Sequence, residues 1–219
     1  MYYNYTPPLS LHSSDTIKVT GQGSVTLSPD RALITLGVST ESTSLQDAQS
    51  ENATVMNRVI NSISNQNIPR NNIQTKDFRI HPQYDYIEGK QVFRGYRVTN
   101  MIEVTVDDIT QVGQIVDLAV NEGANEVQNI QFTVANSDLH YENALKISVN
   151  NARDKARTIA EELGVSVSSV PRKIKEITTR TNQQPQPYVL GVSTESATTP
   201  IEPGQLEIKA VINATFDFN

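Results

Sequence analysis

Between residues 206 and 218 apolar and polar side chains alternate with one exception, Val211, and this pattern constrains the fold more than any other feature of the chain. Leu206, Ile208, Ala210, Ile212, Ala214, Phe216 and Phe218 fall on one parity, with Glu207, Lys209, Asn213, Thr215 and Asp217 on the other. A period of two places the first set on one face of a strand, so the segment is predicted as a strand with one buried and one wet face. A sheet face of that kind needs a cover, and the rest of the chain must supply it.

The same parity appears near the start. Ile17, Val19, Val25 and Leu27, with Gly21 and Gly23 in phase, predict a strand, and Ala32, Ile34, Leu36 and Val38 predict a second. The Ser28-Pro29-Asp30 turn between them predicts a β-hairpin. Phe78, Ile80, Tyr84 and Tyr86, then Glu88-Gly89, then Val92, Tyr96, Val98, Ile102, Val104 and Val106 predict a long second hairpin. Ile130, Phe132 and Val134 mark another strand, and a weaker one spans Ile174 to Thr179.

Helical spacing fills the gaps between these strands. Ser44 and Asp47 resemble a capping box ahead of Leu45, Ala48, Val55, Met56, Val59, Ile60 and Ile63, and that helix must end before Pro69. Asp107 and Asp108 are read as caps of a short helix through Ile109, Val112, Ile115, Val116 and Ala119, closed by Gly123. Asn136, Ser137 and Asp138 precede a long helix whose stripe is predicted through Tyr141, Leu145, Val149, Ala152, Ala156, Ile159, Ala160 and Leu163, ending at Gly164. The alanines on it predict close packing on a sheet.

The resulting order, ββαββαβαββ, predicts an α+β fold with a largely antiparallel sheet and long amphipathic helices on one face. Residues 1–15 read as a flexible tail. Residues 16–219 read as one domain carrying a Pro/Gln/Ser/Thr-rich loop at 180–204.

Composition narrows the function. No cysteine is present, which excludes a disulfide framework, a thiolate nucleophile and Cys-ligated metal. The net charge of −6, with only short basic clusters at Arg94/Arg97 and Arg172/Lys173/Lys175, argues against nucleic acid. No stretch has the length of a transmembrane segment. Met1 to Pro8 lack the apolar run of a signal peptide, so the expected location is cytoplasmic unless a leader was removed.

Four segments in order, Ile17-Lys18-Val19-Thr20-Gly21-Gln22-Gly23 with Pro29-Asp30-Arg31-Ala32, Gly95-Tyr96-Arg97-Val98-Thr99-Asn100, Ala152-Arg153-Asp154-Lys155-Ala156 through Leu163-Gly164-Val165, and Pro200-Ile201-Glu202-Pro203-Gly204, are similar to those of SIMPL-domain proteins. That family includes the periplasmic immunogenic proteins of bacteria. The resemblance spans Ile17 to Phe218. It implies an α+β domain with no known catalytic centre, prone to homo-oligomers, with roles around stress tolerance and the envelope; the family is named for a member that associates with a kinase.

Chemistry-bearing motifs have plain structural explanations. Gly21-Gln22-Gly23 is followed by Thr26 and a strand, so it reads as a bulge or a close backbone crossing and not as a phosphate loop. Ser39 lacks the second glycine of a nucleophile elbow. Leu36–Ser42 recurs identically as Leu190–Ser196, read as coincidence or a duplicated edge strand. His12, His81 and His140 lack metal-ligand spacing. Asp107-Asp108 is explained by capping, and Glu161-Glu162 point to different sides of a helix. No catalytic residue, cofactor site or metal site is therefore assigned.

What remains is aromatic. Tyr84, Tyr86, Phe93 and Tyr96 gather around one hairpin beside Arg94 and Arg97, the composition of an interaction surface, with cross-strand packing as the alternative. The expected function is a non-enzymatic, homo-oligomer-forming protein. The alternatives are an adaptor for another protein such as a kinase and, further off, a hydrolase of unknown substrate.

Overall fold

The computed structural model describes residues 15–177 and 199–219. His12, the second copy of the repeated heptapeptide (Leu190–Ser196), and most of the 1–15 and 180–204 segments lie outside them.

The elements are β1 (Thr16–Leu27), β2 (Arg31–Ser42), α1 (Leu45–Ser64), β3 (Ile73–Ile87), β4 (Lys90–Val106), α2 (Val112–Asn121), β5 (Glu126–Thr133), α3 (Ser137–Leu163), β6 (Lys173–Ile177) and β7 (Leu206–Asp217). The α+β class and the ββαββαβαββ order are as read from the periodicity. The strands divide between a three-stranded sheet, β1-β7-β6, and a four-stranded sheet, β3-β4-β2-β5. The predicted β1–β2 hairpin is therefore corrected: the turn is present, but β1 pairs with β7. Asp30 explains why the turn reads like a hairpin turn and is not one, since its side chain accepts from the Ala135 amide at 2.8 Å and its own amide donates to the Thr133 carbonyl at 3.2 Å. These bonds tie the start of β2 to the end of β5.

The chain forms two compact units. In the unit built on β2 to β5, α1 and α2 cover one sheet face. Ala32, Ile34, Leu36, Val38, Ile102, Val104 and Val106 from the strands meet Met56, Val59, Ile63, Val112, Ile115 and Ala119 from the helices. Ser44 caps α1 by accepting from the Asp47 amide at 3.3 Å, as its sequence suggests. The buried Asn52 on α1 donates through Nδ2 to the carbonyls of Val38 and Val98, at 2.9 and 3.0 Å, and so ties the helix to two strands at once. Asp108 caps the turn into α2, accepting from the Thr110 amide at 3.1 Å, whereas Asp107 pairs with Arg31 across 2.7 Å instead of capping.

In the other unit, α3 lies on β1 and β7. Its buried ridge is Ala144, Ser148, Ala152, Ala156 and Ala160, at strict four-residue spacing, and Ile159 and Leu163 are exposed. Ala152, Ala156 and Ala160 lie where the predicted stripe puts them, with Leu145 and Val149 packed beside the core, but Ile159 and Leu163 are corrected to the exposed flank, and the reason lies in β1. A Cβ at Gly21 would fall 2.1 Å from the Ser148 carbonyl oxygen, and one at Gly23 the same distance from that of Ala144. The two backbones touch, so only small side chains fit on the facing ridge, and the Gly-Gln-Gly motif is the close backbone crossing expected of it.

Candidate interaction surface

β3 and β4 pair antiparallel from Ile73↔Val104 to Ile87↔Lys90, and the connecting turn places Glu88 at φ 49° and Gly89 at φ 76°. Both values suit the tight primed turn that matches strand twist. β2 runs beside β4 only from Ala32↔Val106 to Ser42↔Tyr96. Beyond Tyr96 the ribbon continues with two strands alone among the described residues, and nearly all of its residues are exposed.

A bulge shapes this ribbon. Gln83 faces Gly95 and Tyr84 faces Phe93, which leaves Arg94 as the extra residue on β4. The inserted residue shifts the parity, so Phe93 and Tyr96, three apart in sequence, share a face. Their ring centroids lie 5.2 Å apart at 66°, and Phe93 meets Tyr84 at 5.7 Å and 74°. Both pairs have the edge-to-face geometry that aromatic quadrupoles favour. Tyr86, further along the same parity of β3, is 77% exposed and takes part in neither pair. Gly95 sits where β2 ends, and a Cβ there would meet the Ser42 carbonyl oxygen at 2.6 Å.

The arginines serve a different contact from the rings. Glu41 of β2 accepts from Arg97 Nε and from Arg94 Nη2, each at 2.5 Å, and Arg94 also approaches Asp85 at 3.8 Å. The Arg97 hydrogen bond is the main cause that holds the Glu41 carboxyl below its ordinary range; desolvation opposes it, and the charges of Arg97 and Arg94 add to the lowering. Tyr96 and Arg97 are sequence neighbours on a strand and so face opposite ways. Sequence reading grouped the rings with the arginines and missed Glu41, whose position at the end of β2, across from Arg97 in the register, was the available signal.

The other candidates fall elsewhere. His81 is exposed on β3 opposite Arg97, and His140 is half-buried in the first turns of α3. Glu161 and Glu162 are exposed on the last turn of α3. Among the described residues no group of three or more His, Cys, Asp or Glu is placed to hold a metal ion, and no helix is long and apolar enough to cross a membrane.

Residues 17–216 match the model of the SIMPL family, a protein family of unknown function (DUF541). The chain belongs to the SIMPL family. Over 212 residues it is 28% identical to the 26 kDa periplasmic immunogenic protein of Brucella melitensis, covering 92% of this chain and 84% of the relative. The protein of that name from Brucella abortus shows the same identity and coverage. The uncharacterised protein YggE of Escherichia coli K12 is 25% identical over 181 residues, 83% of this SIMPL chain and 72% of the relative. The expected cytoplasmic location is corrected by these findings, because the Brucella relatives are periplasmic by name. The composition of Met1–Pro8 does not by itself fix a compartment.

Proposed function

We propose that this SIMPL chain is a non-enzymatic periplasmic protein whose residues 16–219 act as one domain and self-associate through the β3–β4 ribbon, in a role linked to the envelope or to stress tolerance. The observation that carries the reading is the ribbon beyond Tyr96: among the described residues, two strands without a third, with Tyr84 and Phe93 about half exposed and Tyr86 nearly free. A two-stranded ribbon is marginal in water and gains from a surface that covers it. Tyr residues at a protruding edge are the residue type that dominates association energies. The location rests on the names of the Brucella relatives. The non-enzymatic reading rests on the sequence, in which no nucleophile, base and orienting group can be assigned together.

Light scattering of the full chain at micromolar concentration tests the proposal. The parent is expected as an oligomer, and Tyr84→Ala with Tyr86→Ala is expected to lower the mass while thermal unfolding by circular dichroism stays unchanged. A monomeric parent discards self-association. In that case the ribbon is read as the docking face of an adaptor for another protein, such as a kinase. That second reading fails if the same double variant captures its partner as well as the parent does.

A further inference from the structure

The sheet of the α3 unit has two faces of unlike chemistry. The inner one is closed by the alanine ridge of α3. The Thr20 hydroxyl donates to Asn213 Oδ1 at 2.9 Å, and the Phe218 amide donates to the Asp15 carbonyl at 3.1 Å. Together these bonds set β1 antiparallel to β7 with Lys18 opposite Thr215. On the other side of β7, Lys173 pairs with Thr215 and Lys175 with Asn213. Because Ile17, Ala214 and Phe216 are buried inward, alternation sends Lys18, Thr215, Asn213, Lys173 and Lys175 outward.

Two rows therefore cross the outer face, Lys18-Thr215-Lys173 and Thr20-Asn213-Lys175. At a strand spacing of about 4.8 Å the backbones of Lys18 and Lys173 lie about 10 Å apart. The carboxylates on this face are engaged: Glu207 pairs with Lys209 at 2.9 Å, and Asp217 with Arg172 at 3.5 Å. Lys18, Lys173 and Lys175 are exposed and have no ion pair among the described residues. The next row carries Val211 and Ile177 at the same parity, Ile177 being 37% exposed. A chain of net charge −6 thus presents one sheet face on which, among the described residues, the unpaired charges are all positive.

We infer that this outer face docks on an anionic lipid surface. Charge complementarity selects an anionic occupant. The face is three strands wide, with short polar side chains between the lysines and apolar ones at its border. That suits a plane of headgroups better than an extended acidic peptide, which is held in a groove or along a strand edge and not across the face of a sheet. Exposed lysines of this kind act additively through the surface potential, and their effect fades beyond the screening length of about 10 Å at 0.1 M salt.

Sedimentation of the full chain with vesicles tests the inference. Vesicles of phosphatidylglycerol and phosphatidylcholine in equal parts are expected to carry the protein down at low salt, and vesicles of phosphatidylcholine alone are not. The triple variant Lys18→Glu, Lys173→Glu, Lys175→Glu is expected to lose at least about a hundredfold in partitioning, at roughly fivefold for each positive charge removed. The charge-matched variant Lys146→Glu, Arg153→Glu, Arg157→Glu, altered on α3 away from this face, is expected to lose far less. A neutral triple variant to Gln, checked by circular dichroism, gives the same answer should the Glu variant misfold. Equal loss in the two charge-reversed triples overturns the inference, as does no sedimentation of the parent at low salt. Retention of the parent on immobilised polyglutamate without vesicle binding also overturns it and assigns the face to an acidic protein.

Discussion

Single side chains carry more of this fold than their number suggests. Asn52 is 1% exposed and its amide donates to carbonyls of both β2 and β4. Replacing it by alanine removes two buried hydrogen bonds and leaves a void, and Asn52→Ala is expected to lower stability by roughly 1–3 kcal/mol. Urea unfolding with an unchanged slope and a lower midpoint checks this. Glu41 acts through charge. Its carboxyl is held below the ordinary value of 4.5 by Arg97 and Arg94, so its contribution is present above that value and lost as the pH falls through the lower folded-state value. Glu41→Gln is therefore expected to lower the thermal midpoint at neutral pH and to converge with the parent as the pH falls below about 4.5, read as thermal midpoints across an acid series. Neither residue stood out in the sequence. Asn52 is one of several polar residues in α1, and nothing local reveals that two strands end their search for a donor there.

Elements were more legible than residues, because a period of two or of 3.6 survives many substitutions. β7, α1 and the β3–β4 ribbon follow the alternation that predicts them. Partner choice was not legible. The Ser28-Pro29-Asp30 turn has hairpin composition, yet β1 goes to a strand far along the chain, with Thr20 and Asn213 separated by 193 positions. Part of the α3 stripe was misplaced for a related reason. Helical periodicity favours large apolar residues such as Ile159 and Leu163, whereas the two glycines of β1 select small ones. A larger side chain on that ridge must push two backbones apart. Ala152→Leu is expected to cost about 1–3 kcal/mol or more through overpacking, while Ile159→Ala on the exposed flank is expected to cost little. Paired chemical denaturation of the two variants decides it, and equal losses contradict the close crossing.

At the scale of the molecule, the family and the α+β class were readable from four short segments and the order of elements. The aromatic ribbon was readable as a cluster, but its bulge was not, since no residue type demands that Arg94 be the unpaired one. The location was misread from the first residues. One further consequence follows from the pairing of β1 with β7. At ordinary synthesis rates of about 5–20 residues per second, the first strand leaves the ribosome roughly ten to forty seconds before the last is made. Until then its hydrogen-bonding edge is open, while the continuous run from β2 to β5 already has every strand it needs. Translation speed, or a chaperone that shields the nascent N-terminal strand, thereby becomes a determinant of yield for this architecture.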